Sequence, residues 1–184
     1  GFIDSVESLK IGDPSEESTQ LGALISSDHL QKVKEYVSIA KDEGGHFLTG
    51  GDDLKIRSSL SRDLEGGYWM APTVIGGLSP DSRCSTEEIF GPVVTVHRFK
   101  TEEEAIEIAN GTRYGLAGSV WTEDLEKGRR VAEGIRTGMV WVNTWLHRDL
   151  RTPFGGVGDS GVGREGGKWS LGFFSETLNV CVKR

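Results

Sequence analysis

The sequence predicts an α/β fold built from βαβ units, with a parallel sheet that helices cover on both faces to give three layers. Short apolar runs that suit strands alternate along the chain with longer segments of helical periodicity. The composition suits a globular protein, because 36% of the residues are hydrophobic and 27% are charged. A length of 184 residues allows one domain with a sizeable core, or one domain with a short appendage.

The first part of the chain carries two predicted helices and a strand. Apolar spacing predicts a short helix over residues 2–9, and Pro14 prevents it from continuing. Asp28 is expected to cap a longer helix that ends at Gly44. The apolar stripe of this helix consists of Leu30, Val33, Val37, Ile39 and Ala40. Residues 46–49 follow as a strand candidate.

The remaining elements are predicted from turn signals and apolar patterns. Thr101 and Glu104 have the spacing of a capping box for a helix over residues 102–110. The other predicted segments are a polar surface loop at 50–67, an extended segment at 68–75, strands at 92–99 and 116–122, a helix at 124–135 with Leu125, Val131 and Ile135 facing inward, a buried strand at 139–143, a short helix at 169–174 and a final strand at 177–183.

The charge balance and the cysteine content exclude several functional classes. The 28 acidic and 21 basic residues give a net charge of −7, which argues against a nucleic-acid partner. The sequence has no apolar stretch long enough to cross a bilayer and no basic, apolar leader, so no membrane partner is expected. Two cysteines are too few for a disulfide framework and fit a reducing compartment, so a cytoplasmic location is predicted.

The glycine-rich segment from residue 153 to residue 167 admits three interpretations. A dinucleotide fingerprint is rejected, because Asn143, the end of the preceding strand, lies thirteen residues before Gly156. A serine-protease nucleophile loop around Ser160 is rejected, because the chain offers neither disulfides nor a supporting His and Asp. We therefore expect the glycines to let a loop approach a pocket or another domain closely.

Short motifs in the second half of the chain indicate a family. They are Glu87-Glu88-Ile89-Phe90-Gly91-Pro92, then Asn110 through Tyr114-Gly115-Leu116-Ala117, then Gly138-Met139-Val140-Trp141-Val142-Asn143, then Pro153-Phe154-Gly155-Gly156 with Ser160-Gly161 and Gly163-Arg164-Glu165. In this order and spacing they resemble the aldehyde dehydrogenase superfamily, from about Lys10 to the last residue. Trp145, residues 148–151 and residues 179–183 look most like the branch that oxidises 2-aminomuconate and 2-hydroxymuconate semialdehydes.

The resemblance implies a chemistry of which this chain carries only a part. Family members use a cysteine thiolate that attacks the aldehyde, NAD(P)⁺ as hydride acceptor and a glutamate base that activates water. Neither catalytic residue is evident here, and the first residue is Gly1. Residues 1–170 are therefore expected to be the C-terminal part of the catalytic domain. Residues 171–184 are expected to be a terminal segment with an oligomerisation strand.

The same resemblance implies partners for the intact protein. The expected partners are a small aldehyde, the missing N-terminal cofactor domain and further copies of the chain in a dimer or tetramer. NAD is the expected cofactor, with NADP left open. Alone, the chain is expected to be inactive. The alternative is a free-standing, non-catalytic homologue that acts in binding or subunit interaction.

Site residues follow from the resemblance position by position. Glu88 matches the glutamate that accepts from the nicotinamide-side ribose hydroxyls, and Phe90 matches the aromatic residue beside the nicotinamide. Phe154 matches an aromatic residue of the substrate tunnel. Arg148 is a candidate for binding a substrate carboxylate, with Arg151 as the competing candidate. The alternative role for such an arginine is a surface salt bridge with the neighbouring aspartate.

The remaining reactive side chains are expected to be structural. Cys84 lacks the glycine and glutamine context of the family nucleophile, and Cys181 alternates with valines on the final predicted strand. The four histidines show no metal-ligand spacing, so no metal is predicted.

Overall fold

In the computed structural model, which describes residues 1–51 and 66–184, helices and strands alternate along the chain as predicted. The described residues form two units, residues 1–98 and residues 99–184. Most of the predicted polar loop at 50–67 lies outside the described residues. Among the described residues, no helix combines the length and the apolar character that a membrane span requires.

The first unit combines helices with a three-stranded sheet. Its elements are α1 (Phe2–Glu7), α2 (Ser27–Asp42), β1 (His46–Thr49), β2 (Thr73–Gly76), α3 (Arg83–Thr86) and β3 (Val93–Val96). The strand order is β1-β2-β3, with β2 and β3 parallel as predicted. The prediction of a parallel sheet is wrong for β1, which runs antiparallel to β2. Antiparallel neighbours can be joined without the crossover helix that parallel neighbours require.

The core of the first unit lies between α2 and the sheet. Val33, Val37 and Ala40 are buried on one face of α2 and pack with Ile75 of β2, which confirms the predicted stripe. The cap of α2 differs from the prediction: the Ser26 hydroxyl, not Asp28, accepts the hydrogen bond from the His29 amide (3.1 Å). Asp28 instead lies in the first helical turn, where a negative charge faces the positive end of the helix dipole.

The second unit contains a parallel βαβ element, as predicted. Its elements are α4 (Glu102–Asn110), β4 (Ala117–Val120), α5 (Leu125–Gly134), β5 (Met139–Val142), a 3₁₀ turn (Gly158–Ser160) and α6 (Gly167–Phe173). Strands β4 and β5 are parallel neighbours, with Ala117 opposite Met139 and Val120 opposite Val142. Helix α5 connects them and packs on both strands.

Two side-chain predictions in this unit differ from the structure, the second of them only in part. Leu125 is exposed rather than inward, because α5 approaches β5 at Gly128, where a β-carbon would lie 2.8 Å from the Val142 side chain. The capping box of α4 is half formed: Thr101 accepts from the Glu104 amide (3.2 Å), whereas the Glu104 carboxylate accepts from the Lys100 amide (2.7 Å).

Two predicted strands also differ from the structure. Of the strand predicted at 139–143, only Trp141 is buried, and Asn143 adopts a left-handed backbone conformation beyond the strand. Residues 177–183 are exposed and belong to no strand. A strand needs a hydrogen-bonded neighbour, and no described segment of this chain pairs with those residues.

Candidate functional site

The segment 88–91 of the first unit combines a buried anchor with exposed side chains. Ile89 is buried in the core, and its neighbours Glu88 and Phe90 are exposed, with Phe90 73% exposed. At Gly91 the chain meets α2 so closely that a β-carbon would lie 2.6 Å from Val33 Cγ2. The core therefore holds the backbone while it leaves the two predicted cofactor-contacting side chains accessible.

Helix α2 fixes the same backbone with hydrogen bonds. The Lys32 ammonium donates to the Glu88 carbonyl (3.0 Å), and His29 Nε2 donates to the Phe90 carbonyl (2.6 Å). The His29 and Phe90 rings also meet edge to face, 6.1 Å between centroids. Phe90 has a φ of 59°, an uncommon conformation for a non-glycine residue that these contacts hold in place.

A charged cluster holds the residue just before this segment. The Glu87 carboxylate accepts from the Tyr36 hydroxyl (2.7 Å) and from Arg83 Nε and Nη2 (3.0 Å each). Hydrogen bonding to this carboxylate raises the pKa of Tyr36, since the protonated phenol is the hydrogen-bond donor.

Beside Phe90 lies an open depression of about 500 Å³, lined by Leu21, Gly22, Ala23, Leu24, Met70, Phe90, Gly91 and Pro92.

The glycine-rich segment forms the wall of a pocket in the second unit, in agreement with the third interpretation above. The pocket measures about 350 Å³ and lies between this segment, which includes Phe154, and the end of α6 at Phe173. Phe154 and Glu165 exchange both backbone hydrogen bonds (2.9 and 2.8 Å), which closes the segment at its base. The Ser160 hydroxyl accepts from the Gly115 amide (2.9 Å), and Arg164 donates to the Gly156 carbonyl (2.9 Å).

The two candidate arginines have different environments. The Arg148 guanidinium lies 4.2 Å from the centre of the Phe154 ring, and both residues line a second, smaller pocket of about 190 Å³. Arg151 is not among the residues that line this pocket; it forms an ion pair with Asp149 (2.5 Å). This bond lowers the pKa of Asp149 and raises that of Arg151. The predicted alternative, a surface salt bridge with Asp149, therefore describes Arg151 and not Arg148.

Several residues of both regions were missed in the sequence. Lys32, His29 and Tyr36 contact the segment around Phe90 from α2, and the Trp141 indole N–H donates to the His147 carbonyl beside Arg148 (2.8 Å). The α2 residues carry no local signal, since their partners lie more than fifty residues away. A tryptophan in a strand predicted to be buried does carry one, because a buried indole N–H requires an acceptor.

Cys84 is buried and its thiol donates to the Tyr36 carbonyl (3.2 Å). Burial raises its pKa to about 11, which opposes formation of the nucleophilic thiolate. In the described part of the chain, no three His, Cys, Asp or Glu side chains are grouped closely enough to hold a metal ion.

Comparison with known proteins agrees with the motifs. Residues 1–180 match the model of the aldehyde dehydrogenase family. The chain is 51% identical over 182 residues to a 2-aminomuconic 6-semialdehyde dehydrogenase of a Pseudomonas species. The aligned region covers 99% of this chain and 36% of that protein. It is 48% identical over 177 residues to a 2-hydroxymuconic semialdehyde dehydrogenase of Pseudomonas putida, and this alignment covers 96% of this chain and 36% of that protein. The chain thus spans little more than a third of the curated relatives it matches.

The solved structures that resemble this chain also match it over about a third of their own length. A betaine aldehyde dehydrogenase of Staphylococcus aureus in complex with NAD⁺ superposes with a TM-score of 0.85 at 40% identity, covering 94% of this chain and 34% of that one. A Mycobacterium tuberculosis aldehyde dehydrogenase complexed with NAD⁺ gives a TM-score of 0.85 at 38% identity, with the same coverage. With a family model that matches nearly the whole sequence, the chain belongs to the aldehyde dehydrogenase family.

Proposed function

We propose that this chain is part of an NAD(P)-dependent aldehyde dehydrogenase that oxidises an acidic semialdehyde, of the 2-aminomuconate or 2-hydroxymuconate kind, to the carboxylate. The observation that carries the proposal is the Arg148 guanidinium on the face of Phe154 at a small pocket. The relatives support it, because they are 2-aminomuconic and 2-hydroxymuconic semialdehyde dehydrogenases, and the semialdehyde of a dicarboxylic acid keeps one carboxylate.

On the substrate side, Arg148 would bind the carboxylate end of the semialdehyde. A planar guanidinium donates two parallel hydrogen bonds to the oxygens of a carboxylate, which fixes the orientation of the substrate as well as pairing its charge. Phe154 would give the unsaturated chain a flat apolar wall, since it lines the pocket of about 350 Å³ and the pocket of about 190 Å³. Because Arg151 already pairs with Asp149, we assign the substrate carboxylate to Arg148 and keep Arg151 as the competing candidate.

On the cofactor side, Glu88 and Phe90 fit a bound NAD(P)⁺. Both side chains are exposed while the backbone around them is held by α2. The Glu88 carboxylate would accept from the two ribose hydroxyls on the nicotinamide side, and the Phe90 ring would support the nicotinamide. When bound, NAD(P)⁺ supplies the acceptor for the hydride that leaves the substrate.

The residues that perform the covalent chemistry are proposed to lie outside this chain. Cys84 is buried with a raised pKa, and Cys181 lies in the exposed terminal segment, so neither suits an activated nucleophile. The nucleophilic cysteine, the base glutamate and the cofactor domain would then belong to other parts of the enzyme. The same proposal assigns residues 1–170 to the three-layer catalytic domain of a cytoplasmic enzyme. Residues 171–184, with exposed Val180 and Val182, would supply the strand that assembles a dimer or tetramer.

The test is NADH formation by the protein expressed from the complete reading frame that encodes this chain. Substrates are 2-hydroxymuconate semialdehyde and hexanal as an uncharged aldehyde. Arg148→Gln is expected to lower kcat/KM for the acidic substrate about 10- to 100-fold and to leave hexanal within about 2-fold. The matched control is Arg129→Gln, which breaks an exposed ion pair with Glu133 on α5 and is expected to leave both substrates unchanged.

Each outcome has a defined meaning. If Arg151→Gln removes the preference for the acidic substrate and Arg148→Gln does not, the carboxylate belongs to Arg151. Turnover by the 20.0 kDa chain alone would overturn the assignment of the nucleophile to other residues. If the protein from the complete reading frame oxidises neither aldehyde, the proposed activity is refuted in favour of a non-catalytic homologue.

A further inference from the structure

We propose that Trp141 is a positioning residue that holds the loop carrying Arg148 and thereby sets the preference for acidic aldehydes. The inference rests on the proposed role of Arg148 as the carboxylate-binding residue. Trp141 itself does not line the pocket of about 190 Å³ where Arg148 meets Phe154.

The main contact is a hydrogen bond from strand to loop. Trp141 lies in β5, is 7% exposed, and donates from its indole N–H to the His147 carbonyl (2.8 Å). The buried N–H needs this acceptor, because leaving it without one would incur the cost of its desolvation. The acceptor belongs to the residue directly before Arg148, so the bond fixes the peptide group from which the Arg148 side chain departs.

The loop between β5 and Arg148 needs such a tether. Leu146 has a φ of 55°, a left-handed conformation that is unfavourable for a leucine and persists only where surrounding contacts impose it. The Trp145 ring packs edge to face on Trp141, 4.9 Å between centroids. Trp141 therefore contacts the loop on both sides of the strained residue, through the ring of Trp145 and the carbonyl of His147.

Both ends of the loop are also fixed. At its start, the Asn143 side chain accepts from the Thr122 amide (2.8 Å) and donates to the Thr122 carbonyl (2.7 Å). Past Arg148, the Leu150 carbonyl accepts from the Gly167 amide (3.0 Å). Without the Trp141 bond, the peptide before Arg148 could move between these two fixed points, and the guanidinium would lose its defined position on Phe154.

This arrangement predicts an effect on charged substrates only. A displaced Arg148 weakens the binding of a carboxylate, whereas an uncharged aldehyde makes no use of the guanidinium. A structural role of Trp141 in folding alone would lower activity toward both substrates equally. The ratio of kcat/KM for 2-hydroxymuconate semialdehyde to kcat/KM for hexanal therefore separates positioning from general damage.

The test is Trp141→Phe in the protein expressed from the complete reading frame, because phenylalanine keeps an aromatic ring and removes the donor. We expect the ratio to fall about 3- to 10-fold, the range for losing one neutral hydrogen bond. In an Arg148→Gln background the same substitution is expected to lower the ratio by less than about 2-fold, because both changes act on one interaction. The control is Trp121→Phe, which removes an exposed indole hydrogen bond to Ser119 (3.1 Å) on β4 and should leave the ratio unchanged.

A second measurement does not depend on turnover. Hydrogen exchange of the protein expressed from the complete reading frame should be faster at residues 146–152 in Trp141→Phe than in Trp121→Phe or in the unchanged protein. Equal exchange in all three, or equal substrate ratios, would overturn the positioning role. If Arg148→Gln lowers the ratio and Trp141→Phe does not, only this inference fails; if Arg148→Gln has no effect, the proposed carboxylate site fails with it.

Discussion

The contact between Val33 and Gly91 predicts a stability coupling between α2 and the segment that carries Phe90. Val33 is fully buried, and a β-carbon on Gly91 would lie 2.6 Å from its Cγ2 and 2.9 Å from its Cγ1. The valine therefore occupies the space that any larger residue at position 91 would need. Gly91 therefore has to be small because Val33 lies against it, and Val33 has to keep its size to fill the space beside Gly91.

The magnitude follows from the atoms that are added or removed. Val33→Ala deletes two buried methyl groups, which costs about 2 kcal/mol with the cavity included. Gly91→Ala adds a methyl group where Val33 already lies, and such overpacking costs about 1–3 kcal/mol. In the double variant the new methyl group fills part of the space that the valine vacates. We expect its cost to be smaller than the sum of the single costs by about 1–2 kcal/mol.

The assay is denaturant unfolding of the single and double variants, followed by intrinsic tryptophan fluorescence, to which Trp69, buried in the first unit, contributes. Gly22→Ala is the control for the change of glycine to alanine, because a β-carbon there would meet no atom within 4 Å. Combined with Val33→Ala, it should give additive free energies. If Val33→Ala and Gly91→Ala also add within about 0.5 kcal/mol, the proposed contact does not fix the segment.

Two further predictions concern the thiols and one glycine. At pH 8 a thiol with a pKa of about 11 is ionised to about 0.1%, so Cys84 should react with a disulfide reagent far more slowly than the exposed Cys181. The reaction rate of Cys84 should rise with pH up to about 11. Two equal fast phases in the native protein would contradict the burial of Cys84. Gly138→Ala should lower the free energy of unfolding by more than about 2 kcal/mol, because a β-carbon would overlap the Gly155 carbonyl oxygen. The control Gly118→Ala meets no atom within 4 Å, and an equal loss in both variants would rule out the overlap as the cause.

The sequence predicts those features of the fold that depend on neighbouring residues. The stripe of α2 and the Thr101 cap were predictable, because helical periodicity and N-capping are settled within one or two turns. The capping residue of α2 was harder to predict, because Ser26 and Asp28 are both good capping residues. Only the packing of the stripe against the sheet decides which of them precedes the first turn.

Features that depend on distant residues were not predictable in this way. The antiparallel direction of β1 depends on pairing with β2, and the exposure of Leu125 depends on how closely Gly128 approaches β5. The same limit applies to the arginines: Arg148 and Arg151 are three residues apart in one polar loop. Their environments differ because Arg148 lies over the Phe154 ring whereas Arg151 pairs with Asp149.

The two candidate regions share one physical arrangement. In the first unit Ile89 is buried between the exposed Glu88 and Phe90, and in the second unit the His147 carbonyl is tethered beside the exposed Arg148. A ligand-binding side chain must be accessible, so it cannot obtain a fixed position from its own burial. Its position has to come from the neighbouring backbone, which is why the anchors carry packing signals and the binding residues carry few. The proposal for Glu88 and Phe90 therefore rests on the family motif, whereas the burial of Ile89 and the need of the Trp141 indole for an acceptor follow from elementary rules of burial and hydrogen bonding.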